Sequence, residues 1–146
     1  MLIILAYHNV VEQSDNYLYM DVSAAVFRKQ VEIIKKYFTI IPLEKAVALL
    51  EQGAWQGNYL SITFDDGYRN LYTTVFPLVK NERLPITVFV NTMPMEANHL
   101  LWVDRLMAVI KQTRVSCLNL RQFDMGVYLL GSLEEKNKFV CRLSGD

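Results

Sequence analysis

The chain has 146 residues, 52% of them apolar, and its 15 basic and 15 acidic side chains leave a formal net charge of zero. That length buries one core and is most simply a single domain, and the apolar share excludes a disordered chain. The balanced charge, with no basic stripe, excludes nucleic acid as an expected partner.

Leu2-Ile3-Ile4-Leu5-Ala6-Tyr7 is a continuous apolar run and predicts a strand buried on both faces. It has no basic leader and no small-residue cleavage site, and no segment approaches a membrane-spanning length, so the expectation is a soluble, cytoplasmic chain. Residues 9–20 are polar and predict a loop. Ser23 is a candidate N-cap for a helix running to about Phe38, with Phe27, Val31, Ile34 and Phe38 on its inner face. Thr39-Ile40-Ile41 predicts a short second strand ended by Pro42. A second helix follows, with Leu43, Ala46, Val47 and Leu50 on one face and Gly53 at its C-terminal end.

Tyr59 to Phe64 predicts a third strand that runs straight into Asp65 and Asp66. A helix is expected from about Asn70, interrupted or restarted at Pro77. Pro85 to Val90 predicts a fourth strand, and Leu100 to Lys111 a helix with Trp102, Leu106, Val109 and Ile110 inward. Residues 116–120 predict another short strand. Ser132-Leu133-Glu134-Glu135 reads as a capping box opening a last helix whose apolar face is Phe139, Val140 and Leu143. Cys117 and Cys141, far apart, read as two ordinary half-buried thiols. Alternating strands and helices argue for a parallel α/β sheet, in which ligands bind at the C-terminal ends of strands. Tyr7-His8 and Asp65-Asp66 occupy two such ends.

Ionised carboxylates at the end of a buried strand need a partner, and a metal ion held by oxygen or mixed oxygen and imidazole ligands is the usual one. A solvated Asp-Asp-Gly turn is the plainer alternative. Gly67 fits a positive φ or a close approach of substrate to backbone. Tyr68 and Trp102 have faces that suit sugar rings, or core positions. His8 reads as a cleft residue that orients substrate or a carboxylate, or as a structural histidine. His99 is the only other histidine, and neither is assigned as a metal ligand. Asp104 and Arg105 read best as an exposed helical ion pair.

Thr63-Phe64-Asp65-Asp66-Gly67-Tyr68 resembles the first motif of the polysaccharide deacetylases, the NodB-like carbohydrate esterases. Leu5-Ala6-Tyr7-His8-Asn9-Val10 resembles that family's opening strand. Residues 76–80 and 84–90 resemble its next helix and strand. Leu101-Trp102-Val103-Asp104-Arg105-Leu106 resembles a segment of members acting on bacterial exopolysaccharides. The resemblance covers roughly the first 110 residues. It implies the N-terminal portion of a distorted (β/α) barrel of NodB type, here a single, incomplete domain over 1–146. It also implies metal-dependent hydrolysis of N-acetyl, in preference to O-acetyl, groups on a glycan, with zinc, cobalt or nickel as the metal. Asp65 is then the general base and Asp66 a metal ligand, while Gly67 and Tyr68 border the oxyanion pocket, Tyr68 through its N–H.

The sequence departs from the family in one large respect. No His-x-x-x-His follows Asp66, and the later arginine-, tryptophan- and histidine-bearing motifs are absent. The expectations are therefore weak or absent metal binding, little activity of this chain alone, and self-association through uncovered apolar surface. A non-catalytic glycan-binding or interaction remnant of the same fold is the alternative. A phosphoacceptor receiver domain also uses paired acids in a parallel sheet, but its pair ends the first strand, whereas this one ends the third.

Overall fold

The computed structural model describes residues 1–13, 21–53, 55–92 and 100–143. They fall into two compact units, one within residues 1–92 and one over residues 100–143.

The first unit is built around β5 (Tyr59–Phe64), buried along nearly its whole length. β1 (Leu2–Tyr7) pairs with it in parallel over all six residues, from Leu2 opposite Tyr59 to Tyr7 opposite Phe64. The other edge of β5 is shared. β4 (Thr39–Ile40) pairs with Tyr59 and Leu60, and β6 (Ile86–Val88) pairs with Ile62 to Phe64, both in parallel. The Ser61 hydroxyl, buried between these two partners, donates to the Ile41 carbonyl at 2.8 Å. The parallel sheet follows the sequence expectation, but the strand buried on both faces is β5. β1 has one partner strand among the described residues, and Ile4 on it is 50% exposed.

α1 (Ala24–Tyr37) starts where expected, with the Ser23 hydroxyl accepting from the Val26 N–H at 3.3 Å. Its Phe27, Val31 and Ile34 are buried against Tyr7, Leu60, Ile62 and Phe64. Three aromatic rings form the centre. Tyr7 stacks on Phe64 with centroids 5.4 Å apart, and Phe27 meets both rings edge-on at 5.3 and 5.9 Å. The Tyr7 hydroxyl donates to Gln30 Oε1 at 2.9 Å, and burial pushes its pKa above the ordinary phenol value.

α2 (Leu43–Gln52) ends at Gly53 in the left-handed region, φ +60°. It packs through Ala46, whereas Val47 and Leu50 are exposed, so its inner face is turned from the one expected. Asn9 to Val11, expected as loop, form β2, which pairs in parallel with β3 (Asp21–Ser23). Residues 14–20 of the expected loop lie outside the described residues. The helix after the acid pair begins as a π-helical turn, Leu71–Val75, and continues as α3 (Phe76–Asn81) with Pro77 in its first turn. Pro77 lacks an N–H, and the break expected there takes this form. β6 is shorter than the expected 85–90, because Pro85 has no donor and the ladder closes with Phe89 N–H to the Phe64 carbonyl, 2.8 Å.

The second unit comprises α4 (Trp102–Gln112), β7 (Cys117–Asn119), a 3₁₀ turn (Arg121–Phe123), β8 (Val127–Leu129) and α5 (Leu133–Leu143). β7 and β8 form an antiparallel hairpin, and β8 was not anticipated. The capping box is present in both directions. Glu135 Oε2 accepts from the Ser132 N–H at 2.9 Å, and the Ser132 hydroxyl accepts from the Glu135 N–H at 3.1 Å. Ile110, Leu130, Phe139 and Val140 make a small core. The Lys136 ammonium donates to the carbonyls of Lys111 and Thr113 at the end of α4. Trp102 and Val109 do not face inward as expected. They are 74% and 63% exposed, because the face that meets the small core is the one bearing Leu106, Met107 and Ile110. Cys117 is exposed and Cys141 half-buried.

Candidate active site

The β1–β5 pairing brings the two strand ends together. The Asp65 N–H donates to the Tyr7 carbonyl at 2.8 Å, which carries the ladder one step beyond Phe64. His8 and Asp65, the next residues on each strand, therefore lie side by side, with His8 Nε2 3.9 Å from Asp65 Oδ2 and both side chains 39% exposed. That separation is beyond hydrogen-bond range, and a pair so exposed contributes little to stability. Its value is position.

The acid loop turns sharply. The Gly67 N–H donates to the Asp65 carbonyl at 2.9 Å, closing a three-residue turn centred on Asp66, whose φ is +68°. This is the strained form of the γ-turn, and a non-glycine residue there costs about 1–2 kcal/mol, with aspartate among the residues that tolerate it. Adjacent side chains on a strand diverge, but this turn lets Asp65 and Asp66 line one cleft. Gly67 follows at φ +70°, and a Cβ built on it would stand 3.1 Å from Val90 Cγ1. Gly67→Ala is therefore expected to cost about 1–2 kcal/mol of stability by urea unfolding, since it meets both a left-handed backbone and a crowded neighbour. An unchanged midpoint would show that the turn relaxes freely.

The cleft is open, has a volume of about 390 Å³, and is lined by Asp65, Asp66, Phe89, Val90, Asn91 and Thr92. Beside it runs a polar chain. Asn70 Nδ2 donates to Asn9 Oδ1 at 3.1 Å, and Asn9 Nδ2 donates to Asp21 Oδ1 at 2.8 Å. It ties the segment after His8 to β3 and to the residue that precedes the π-helical turn.

Of the residues expected at the site, the structure brings His8, Asp65 and Asp66 together. Gly67 packs against Val90, and Tyr68, half-buried, is next in the chain, its carbonyl accepting from the Leu71 N–H. Trp102 belongs to the second unit, where it lines a shallow groove with Arg105, Leu106 and Val109. His99 lies outside the described residues. The sequence reading missed Asn9, Asn70 and the segment 89–92. The signal for the last was present, because residues following the end of a parallel strand line the ligand site.

Asp65, Asp66 and His8 are side chains of the types that can ligate a metal, and they lie at this end of the sheet. Among the described residues no group of three or more His, Cys, Asp or Glu side chains converges on a point that would hold an ion. Catalytic zinc takes three protein ligands, so the described residues do not by themselves fit a catalytic metal.

Residues 53–116 match the sequence model of the polysaccharide deacetylase family. Three solved structures share its fold. A de-N-acetylase from Aggregatibacter actinomycetemcomitans is 19% identical over 68% of this chain and 42% of its own, with a TM-score of 0.58. IcaB from Ammonifex degensii is 26% identical over 61% and 37%, with a TM-score of 0.54. The deacetylase PplD from Streptococcus pyogenes, solved with acetate, is 19% identical over 73% and 51%, with a TM-score of 0.57. The chain thus spans about half, or less, of the length of these proteins, and its fold is part of a NodB-type barrel. No curated protein matches it.

Proposed function

We propose that this chain carries the general-base side of a glycan deacetylase, one that hydrolyses N-acetyl, in preference to O-acetyl, groups on a polysaccharide or oligosaccharide. The observation that supports this reading is the placement of Asp65 and Asp66 on one open cleft at the end of the central strand, beside His8. In this reading Asp65 accepts the proton of the attacking water, a role suited to a partly exposed carboxylate within reach of the cleft. His8 stands beside the Asp65 carboxylate, placed to orient it or the substrate when the cleft is filled. The backbone N–H of Tyr68 is assigned to the developing oxyanion. Asp66 is assigned to a divalent ion (zinc, cobalt or nickel) in the complete enzyme.

Because the described residues supply too few ligands, this chain alone is expected to hold such an ion weakly and to turn over little substrate. Calorimetric titration with zinc should show no tight site. A single stoichiometric site of submicromolar affinity would overturn this and point to ligands outside the described residues. Among the described residues β1 pairs on one side only, and Ile4 on it is half exposed; both support self-association of the chain through β1.

A chimera tests the catalytic assignment. Residues 1–92 would replace the structurally matching part of IcaB from Ammonifex degensii, and acetate release from an acetylated chito-oligomer would be measured. Release supports the reading, and a folded, metal-loaded chimera that releases none refutes it. The shortage of ligands also favours a second reading, a glycan-binding or interaction module without turnover, which binds the oligomer and never releases acetate.

A further inference from the structure

We propose that the wall formed by Phe89, Val90, Asn91 and Thr92 is the subsite that seats the acetamido sugar, an inference that rests on the deacetylase reading. One side of the cleft presents two carboxylates. The facing segment carries no charge: Phe89 and Val90 are about half exposed, and Asn91 and Thr92 are exposed. β6 ends at Val88, so the alternation of a strand stops there and four successive residues line the same space. An aromatic ring beside a neutral amide and a hydroxyl is the chemistry that recognises a pyranose. The ring covers the C–H face, and the amide and hydroxyl exchange hydrogen bonds with sugar hydroxyls and the acetamide. A purely apolar ligand would leave Asn91 and Thr92 unpaired, and an anionic one would meet Asp65 and Asp66. The volume of about 390 Å³ lies at the small end of ligand sites, as suits one sugar unit with its acetamide.

The wall is also held in register with the acid pair. The Phe89 N–H donates to the Phe64 carbonyl at 2.8 Å, one residue before Asp65, and Val90 packs closely over Gly67, its Cγ1 3.1 Å from where a Cβ would stand there. A sugar seated on residues 89–92 is thereby placed at a fixed distance from the carboxylates. Asn91 and Thr92 act as substrate-positioning residues and Phe89 as a stacking platform.

The test is a titration of the isotope-labelled chain with tri-N-acetylchitotriose, followed by amide chemical shifts, with cellotriose as the comparison lacking acetamides. Wild type should show shifts concentrated at residues 65–67 and 89–92, with weaker binding of cellotriose. Asn91→Ala and Phe89→Leu should each weaken binding about three- to tenfold, the range for one lost hydrogen bond or ring contact. Thr92→Val serves as a further variant if Asn91→Ala alters the spectrum away from the cleft. Unchanged affinity in these variants, equal binding of cellotriose, or wild-type shifts away from the cleft would each overturn the subsite. Absence of any wild-type shift overturns it as well. In all these cases acetate release by the IcaB chimera still decides the deacetylase reading separately.

Discussion

Phe64→Ala is expected to destabilise the first unit by about 3–5 kcal/mol. The side chain is fully buried at the C-terminal end of β5, stacked on Tyr7 and in edge contact with Phe27. Removing a buried phenylalanine costs about 3–5 kcal/mol, from the lost transfer free energy and the cavity left behind. A domain holds about 5–15 kcal/mol in total, so the loss takes from about a fifth to all of the stability. It also loosens the strand end on which the site is built, because the Phe64 carbonyl accepts the bond that anchors Phe89. Tyr72→Ala is the control, an exposed aromatic on the π-helical turn whose loss should change stability by about 0.5 kcal/mol or less. Urea unfolding followed by circular dichroism measures both. If the two variants unfold at similar midpoints, the Tyr7–Phe27–Phe64 cluster is not the centre of the fold.

The second large effect concerns the acid pair, read in the IcaB chimera. Asp65→Asn should leave metal content unchanged and lower turnover by about 10²–10⁴-fold, the usual contribution of a general base. Asp66→Ala should lose metal and turnover together. Asp66 stands at φ +68°, so alanine there also strains the turn. Asp66→Asn separates the two effects, since asparagine tolerates the left-handed region while surrendering the charge that binds a cation. If Asp66→Asn retains full metal content, the ligand role belongs elsewhere. If Asp65→Asn retains full turnover, so does the base.

The parts of this fold that could be read in the sequence were those with local causes. The helix start at Ser23, the left-handed Gly53, the capping box at Ser132 and the strand Tyr59–Phe64 each follow from a few neighbouring residues, and each is where it was expected. The misplaced features depend on what lies across from them. Val47, Leu50, Trp102 and Val109 are apolar at helical spacing, yet which side of a helix turns inward is set by the sheet or core it meets. β2 and β8 are three-residue strands that exist because partners pair with them, and too short a run carries no period of its own. At the site, Asp65 and Asp66 announced themselves, being charged residues at the end of an apolar strand. Asn91 and Thr92 did not, because a neutral polar pair after a strand looks like any loop until the cleft is seen. The γ-turn at Asp66 was equally hidden, since glycine, not aspartate, is the residue that signals a positive φ.

The pairing of β1 with β5 has a consequence for how the chain is made. Leu2 finds its partner at Tyr59, and Tyr7 finds its partner at Phe64. β1 therefore waits for more than fifty further residues before its ladder with β5 can form. At about 5–20 residues per second, that is a delay of several seconds for an apolar, β-prone segment with nothing beside it. Such long-range parallel pairing is slow to form even in the finished chain, because the loop between must be closed before any ladder bond rewards it. β1 is thus a segment that needs protection while the chain is being made, and a place where overproduction would turn into aggregation.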